Sequence, residues 1–398
     1  MRDLNGKGIV LGITGSIAAY KSVELLRLLK KAGAEVSVVM TENATRFVNP
    51  LTFETLSGKG VIRDMFSQPC MPFSHISLGQ ESDLIVIAPA TANIIGKIAH
   101  GIGDDFLSTL ALAATCRILI CPAMDREMFL NGIVQDNIER LKARDFIVME
   151  PEEGVLASGV VGVGRFPGSS TIVEEVAHIL ADQDFAGQKL LVTAGPTIEF
   201  IDPVRIVTNR STGKMGYAVA RAARRRGAEV TLVSGPTYLE PPRGVNTIVV
   251  TTAEEMREAV LKHFTGADVV IKAAAVSDYR PSSKLQEKEK KKQGPITVEM
   301  EPTEDILEEL GRRKGSTILV GFAAETTEHL ARAVEKIDKK NLDLIVLNDV
   351  SKGDRGFAAD SNEVRIIDRQ GNDEEIPMMP KEDVADRILD RIKGLRGT

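Results

Sequence analysis

Tryptophan is absent from the 398 residues, and 13 Phe and 4 Tyr are all the aromatics present. A surface that stacks nucleic-acid bases needs more than that, which argues against single-strand binding and nucleic-acid partners in general. Cysteine is scarce too. Cys70, Cys116 and Cys121 include no CxxC pair, which argues against a disulfide framework or a structural zinc site and for a reducing, cytoplasmic setting. No apolar run is long enough to span a bilayer and no signal peptide precedes the first strand, so no membrane contact is expected. A formal net charge of −6 gives no general attraction to nucleic acid or anionic lipid, and any polyanion site must be local. The GxGxxG dinucleotide fingerprint is also missing, which disfavours a nicotinamide dehydrogenase.

What is present reads as two α/β halves. At 398 residues the chain exceeds one ordinary core, and each half is large enough to bury its own interior. Ile9 to Thr14 reads as a strand, Ala18 to Leu29 as a helix, and KAGAEVSVVM as the returning strand. From Lys189 the pattern recurs: Leu190 to Thr193 is a strand, Met215 to Arg226 has helical spacing, and RRGAEVTLVS nearly repeats the earlier return. The openings SDLIVIAP, ADVVIKAAAVSD and LDLIVLNDVS each pass from apolar to polar, as parallel strands with functional carboxyl ends would. The expected fold class is therefore α/β, with two Rossmann-like three-layer domains and mainly parallel sheets. ADQDFAGQ supplies a polar break, which puts the boundary near Phe185 and the domains at 1–185 and 186–398.

Two loops carry the chemistry. In GITGS, Ser16 offers an N-cap and Gly15 a close-approach point, suited to a single phosphate. Behind AGPT, Asn209 and Ser211 precede Gly213 and Lys214, and the helix that opens there presents free backbone N–H groups to an anion. That grouping suits a phosphate and a reacting carbonyl, although an ordinary βαβ unit with a long first loop explains the pattern equally well.

AGPT, the long loop and TNRSTGKMG resemble the ligase half of the bifunctional phosphopantothenoylcysteine decarboxylases and phosphopantothenate–cysteine ligases of coenzyme A biosynthesis. GITGSIAAYKS, HISL, APATANIIGKIAHG and PAMDREMF follow one another as in flavin-dependent cysteine decarboxylases, so the resemblance runs nearly end to end. It implies a flavin domain that uses FMN, held by Gly15, Ser16, Thr41, Thr91 and Asn93, with His75 as the active-site base. Asp125 and Ser158 take the positions of the substrate-carboxylate contact and the clamp. In the second half it implies Asn209 on the acyl group and Lys288 on the triphosphate and acyl intermediate. Asp278, Phe322, Lys336 and Lys340 would meet the nucleotide, Phe322 beside its base. The implied substrates are 4′-phosphopantothenate, cysteine and a nucleoside triphosphate with Mg²⁺, generally CTP rather than ATP in two-domain members; which residues hold Mg²⁺ is left open. The implied assemblies are trimers or dodecamers through the flavin domains and dimers through the ligase domains.

Three positions depart from the family pattern. Asp125 stands where many decarboxylases carry Asn, and Ser158 where they carry Cys. An Asn amide donates to a substrate carboxylate, whereas an ionised Asp repels it; a serine hydroxyl is a far weaker acid than a thiol of pKa about 8.5. Asp125 is expected to be tolerated only if a nearby cation offsets it or its pKa is raised. Glu289 replaces the apolar residue of the lysine-loop pattern E-K-I-K-K. Without the resemblance, residues 276–296 read as a solvated loop, His75 as a structural hydrogen-bonding residue, and Lys336 with Lys340 as a basic helix surface. Two rival functions stay open: a ligase with an incomplete decarboxylase half, and a non-catalytic flavin-binding regulatory protein. Retention of His75, Asn209 and Lys288 argues against the second.

Overall fold

The structure is a computed structural model that describes residues 4–65, 74–287, 297–325, 329–349 and 359–396. The chain divides into two compact units, Met1–Ala181 and Asp182–Thr398. Phe185, where the sequence puts the division, is fully buried in the core of the second unit, so that unit begins slightly earlier.

In the first unit, β1 (Gly8–Ile13), β2 (Glu35–Met40), β3 (Leu84–Ala90), β4 (Arg117–Pro122) and β5 (Ile147–Val148) form one sheet in the order β2-β1-β3-β4-β5. Every neighbouring pair is parallel. Strand alternation builds two cores: β1 sends Ile9, Leu11 and Ile13 to one face and Val10 to the other, while β3 sends Leu84, Val86 and Ala88 to the first and Ile85, Ile87 and Ala90 to the second. Burial on both faces is why these strands read as unbroken apolar runs. Helices Lys21–Lys31 and Ser169–Leu180 cover the first face, and Ala92–Ala99 with Phe106–Ala113 cover the second. The stretch after Asn93 breaks between those two helices. Gly101 takes φ +70°, and Asp105 opens the next helix with a capping box that it shares with Ser108. The segment GVLASGVVGVGRFP contributes to an antiparallel hairpin, β6 (Glu152–Val155) and β7 (Val161–Arg165), with Ser158 in its turn.

The second unit holds β8 (Lys189–Ala194), β9 (Ile198–Phe200), β10 (Ile206–Thr208), β11 (Glu229–Ser234), β12 (Asn246–Val249), β13 (Val269–Lys272), β14 (Tyr279–Pro281), β15 (Met300–Pro302), β16 (Ile318–Glu325), β17 (Leu344–Asp349), β18 (Ser361–Asp368) and β19 (Asp373–Pro380). Its main sheet runs β12-β11-β8-β13-β16-β17-β18-β19; the first six strands are parallel and the last two form an antiparallel hairpin that turns near Gly371. Here too alternation feeds two cores, with Leu190, Val192 and Ala194 on one face of β8 and Leu191 on the other. Helix Lys214–Arg225 packs against β8 at Gly216, where a Cβ would stand 2.8 Å from the Thr193 carbonyl oxygen and 2.6 Å from Ala194 Cβ. Only glycine allows that approach. Helix Lys381–Arg396 lies alongside, joined by Arg225 to Asp386 at 2.5 Å and Arg221 to Glu382 at 3.4 Å.

Both sheets thus match the expected fold class. Each has a topological switch point, between β1 and β3 in the first unit and between β8 and β13 in the second. In open α/β sheets ligands bind in the crevice outside the carboxyl ends at such a point.

Candidate active sites

The first switch point collects the residues expected around a flavin. Thr14 Oγ1 donates to the Pro89 carbonyl at 2.7 Å and accepts from Thr91 N at 3.1 Å, which ties the end of β1 to the end of β3. Gly15 follows; a Cβ there would meet Asn43 Cβ at 2.5 Å, so the β1 and β2 loops close on each other only because it is glycine. Ser16 caps the short helix Ile17–Tyr20, its hydroxyl accepting from Ala18 N at 3.2 Å. Thr41 and Thr91 begin the helices after β2 and β3, yet neither hydroxyl caps its helix. Asn93 lies exposed in the first turn after Thr91. Free hydroxyls and helix N-termini at one carboxyl edge suit a phosphate-bearing cofactor, so these residues fit a flavin mononucleotide.

A cleft of about 630 Å³ opens beside Ser16, lined also by Lys21, Asp125, Ser158, Arg165 and Phe166. It brings the two departures from the family pattern into contact: Ser158 Oγ donates to Asp125 Oδ2 at 2.6 Å. Asp125 also caps helix Arg126–Phe129, accepting from Glu127 N at 3.3 Å. The Ser158 hydroxyl, then the Glu127 N–H, with a smaller contribution from Arg126, hold its carboxyl below the ordinary range. Of the two conditions under which Asp125 is expected to be tolerated, a raised pKa is therefore not met, which leaves an offsetting cation. The cations at hand are Arg126 beside it and Lys21 and Arg165 on the same cleft. His75 stands half-buried on helix Ser74–Glu81, its ring 6.4 Å from that of Phe106 in an edge-on arrangement. It does not line this cleft.

In the second unit, Asn209 is exposed just after β10, and its Nδ2 donates to the Ala275 carbonyl at 3.0 Å. Pro196 and Ala275 bridge the same two strand ends. The candidate acyl-holding amide thus sits on the switch point. Gly213 (φ +78°) turns the chain into helix Lys214–Arg225, with its N–H within 3.4 Å of Ser211 Oγ. A pocket of about 130 Å³ lies there, lined by Ser211, Lys214, Ala275, Phe322, Asn348, Asn362 and Lys381 among others.

The other described nucleotide candidates lie outside that pocket. Lys340 pairs with Asp305 at 2.6 Å, and neither it, Lys336 nor Asp278 lines the pocket that holds Phe322. Lys336 lies in the last turn of helix His329–Lys339, and Asp278 is exposed. Lys288, with the rest of the lysine loop to Lys291, lies outside the described residues.

Sequence reasoning missed two lysines. Lys272 ends β13, and burial pushes its pKa down to about 8, with Asp305, Lys340 and Asp278 as its charged neighbours. Lys381 opens the last helix at 3% exposure; burial first, then Lys214, pushes it down to about 8. A cation closing an otherwise apolar strand, VVIK, was the available signal for Lys272.

Two family models divide the chain between them. Residues 1–181 match the model described as Flavoprotein, and residues 185–395 match the DNA/pantothenate metabolism flavoprotein C-terminal domain. The coenzyme A biosynthesis bifunctional protein CoaBC of Bacillus subtilis is 48% identical over 399 residues, covering 98% of both chains. The chain belongs to the family of bifunctional coenzyme A biosynthesis proteins. Other members of the CoaBC family are close as well: that of Vibrio cholerae is 41% identical over 98% of each chain, and that of Mycobacterium bovis 42% identical over 97% of this chain and 96% of its own. The resemblance read from TNRSTGKMG and the decarboxylase motifs is thereby borne out. As a member of the CoaBC family the chain is a two-activity enzyme, with a flavoprotein half followed by a pantothenate-metabolism half. Among the described residues no helix is long and apolar enough to cross a membrane.

Proposed function

We propose that the second unit joins 4′-phosphopantothenate to cysteine using CTP and Mg²⁺, and that the first decarboxylates the product to 4′-phosphopantetheine with bound FMN. The observation that carries this reading is the presence in one chain, over nearly its whole length, of both matched family halves.

A carboxylate is a poor electrophile, so the ligase step begins with activation. The phosphopantothenate carboxylate oxygen attacks the α-phosphorus of CTP, pyrophosphate leaves, and an acyl-nucleotidylate forms, with Mg²⁺ arriving on the triphosphate. The cysteine nitrogen then attacks the acyl carbon; the C–N bond forms, the C–O bond breaks, and CMP leaves with the electron pair while the ammonium proton goes to solvent. Asn209, anchored through Nδ2 to Ala275, polarises the acyl group from the switch point, an oxyanion-type role. Lys288 screens the triphosphate, and Asp278, Phe322, Lys336 and Lys340 complete the nucleotide site.

In the first unit Gly15, Ser16, Thr41, Thr91 and Asn93 hold FMN. Bound there, it supplies reversible oxidation of the cysteinyl CH₂–SH group, which gives the departing carboxylate's electrons a place to go. His75 moves the proton, a task suited to imidazole near neutral pH. Ser158 and Asp125, joined at 2.6 Å, face the substrate carboxylate together, and Lys21 and Arg165 on the same cleft offset the Asp125 charge. A cytoplasmic homo-oligomer, trimeric or dodecameric through the flavin units and dimeric through the ligase units, is part of the same reading.

The test is a product analysis of the full chain with phosphopantothenate, cysteine, Mg²⁺ and either CTP or ATP. Pyrophosphate release faster with CTP, together with loss of CO₂ dependent on bound flavin, is the expected outcome. A ligase product that never loses CO₂ would instead favour the rival reading, motivated by Asp125 and Ser158, of an incomplete decarboxylase half.

A further inference from the structure

The pocket of about 130 Å³ beside Asn209 is small for a whole nucleotide. It is well below the 300–1,000 Å³ usual for drug-sized ligands, so it takes a small molecule or one fragment of a larger one. Its lining includes two ammonium groups, Lys214 and Lys381, and the first N–H groups of helix Lys214–Arg225, which favour an anion. Lys214 is paired at 2.6 Å with Asp360, whose side chain is 89% exposed; such a surface pair is weak and yields readily to a better placed carboxylate. Lys381 Nζ donates to the Ala359 carbonyl at 2.5 Å.

On the β17 and β18 side stand Asn348 and Asn362. Their Oδ1 atoms are both buried and have no hydrogen-bond partner. Asn362 is 3% exposed, and its Nδ2 faces the Met215 sulfur at 3.9 Å, which directs the oxygen away from that weak acceptor. A buried amide oxygen left unpaired costs stability unless something donates to it. Two such acceptors call for a ligand with several N–H donors. Small neutral residues, Ala273, Ala274 and Ala275, with Met215 and Phe322, make the remaining wall.

A small ligand that carries an anionic group, an N–H-rich group and a soft apolar side group is an α-amino acid zwitterion. We propose that this pocket is the cysteine subsite of the ligase: Lys381, Lys214 and the helix N-terminus take the carboxylate, and Asn348 and Asn362 take the amine. This rests on the ligase reading above. The position is right for the reaction, because Ala275 both lines the pocket and accepts from Asn209. An amine held there is delivered beside the acyl group that Asn209 polarises.

The experiment uses the full chain and separates the two half-reactions. Single-turnover pyrophosphate release with phosphopantothenate and CTP, without cysteine, reports activation alone. Steady-state turnover then gives the KM for L-cysteine and for cysteamine, which lacks the carboxylate. Asn362→Ser and Asn348→Ala are expected to raise the cysteine KM about tenfold or more while the KM for CTP stays within about twofold, as loss of a charge-assisted hydrogen bond implies. Lys381→Met should raise the KM for cysteine but not for cysteamine, so that the preference between them collapses; a merely structural role would move both alike. A higher KM for CTP or a lost pyrophosphate burst in the Asn variants, with cysteine unaffected, would assign the pocket to the nucleotide and overturn the proposal. Absence of the burst in the unaltered enzyme would instead sink the ligase reading, and this subsite with it.

Discussion

Ser158 donates its hydroxyl proton to Asp125 across 2.6 Å. The two positions at which this chain departs from the decarboxylase pattern are therefore one structural unit. An Asn and Cys pair would present an amide donor and an acidic thiol; here an ionised carboxylate engages the hydroxyl that replaces the thiol. The contact lowers the Asp125 pKa, so Asp125 carries its charge throughout the neutral range. A substrate carboxylate entering the cleft meets that charge and depends on Lys21 and Arg165 for attraction.

It follows that Asp125→Asn should bind phosphopantothenoylcysteine more tightly. A drop of about tenfold in KM is expected from the relieved repulsion. Because Asp125 titrates only well below neutrality, the drop should be constant from pH 6 to 8. Steady-state decarboxylation at three pH values checks this, and an unchanged or higher KM in the variant would show that Asp125 is no burden to the substrate.

Completion of the cycle is the next expectation. Under anaerobic single turnover the chain should yield fully reduced 4′-phosphopantetheine, with water or a neighbouring hydroxyl relaying the proton that a thiol would give. Mass spectrometry reads the answer. A product two hydrogens lighter, with the flavin left reduced, would mean that Ser158 stalls the last step, and Ser158→Cys should then restore it. His75→Asn should keep its flavin colour yet release no CO₂.

In the ligase unit, Asn209→Ala should slow acyl transfer while leaving the KM for CTP within about twofold, since the amide acts on the acyl group. Lys288→Gln should impair activation itself. Were both variants to lose only nucleotide affinity, with full turnover at saturation, the two roles would be wrong.

Lys381 makes a stability prediction with a definite sign. Its folded pKa of about 8 lies below the ordinary 10.5, so between those values the unfolded chain binds more protons and stability rises with pH. The burial penalty is fully present below about pH 8 and is relieved toward pH 10.5. Lys381→Met should therefore gain stability relative to the native chain at pH 7 more than at pH 10, by on the order of 3 kcal/mol if the whole shift is realised. Denaturant midpoints of both proteins at the two pH values test it; a difference that does not vary with pH would contradict it.

How far the sequence is legible depends on how local each signal is. β1, β3 and β8 could be read because burial on both faces leaves uninterrupted apolar runs, and helix Lys214–Arg225 because Gly213 and its periodic alanines mark it. The β6–β7 hairpin was not read: its Val and Gly residues carry no period that points to one buried face, and Val155 and Val161 are in fact exposed. Contacts that depend on sheet order were invisible. Asn348 and Asn362 belong to different strands and line one pocket only because β17 and β18 pair antiparallel, with Asn348 opposite Val364. Asp125 and Ser158 could each be picked out, but not their hydrogen bond, because it needs the hairpin to fold back over the end of β4.

The central claim is that one chain carries both activities, and a single reaction tests it most directly. The full-length protein is incubated with 4′-phosphopantothenate, cysteine, Mg²⁺ and CTP, and products are followed by mass spectrometry alongside pyrophosphate. The account predicts pyrophosphate and phosphopantothenoylcysteine first, then 4′-phosphopantetheine with an equal amount of CO₂. Protein that is folded and yellow but releases no pyrophosphate with CTP or ATP, and forms no condensed product, would contradict it.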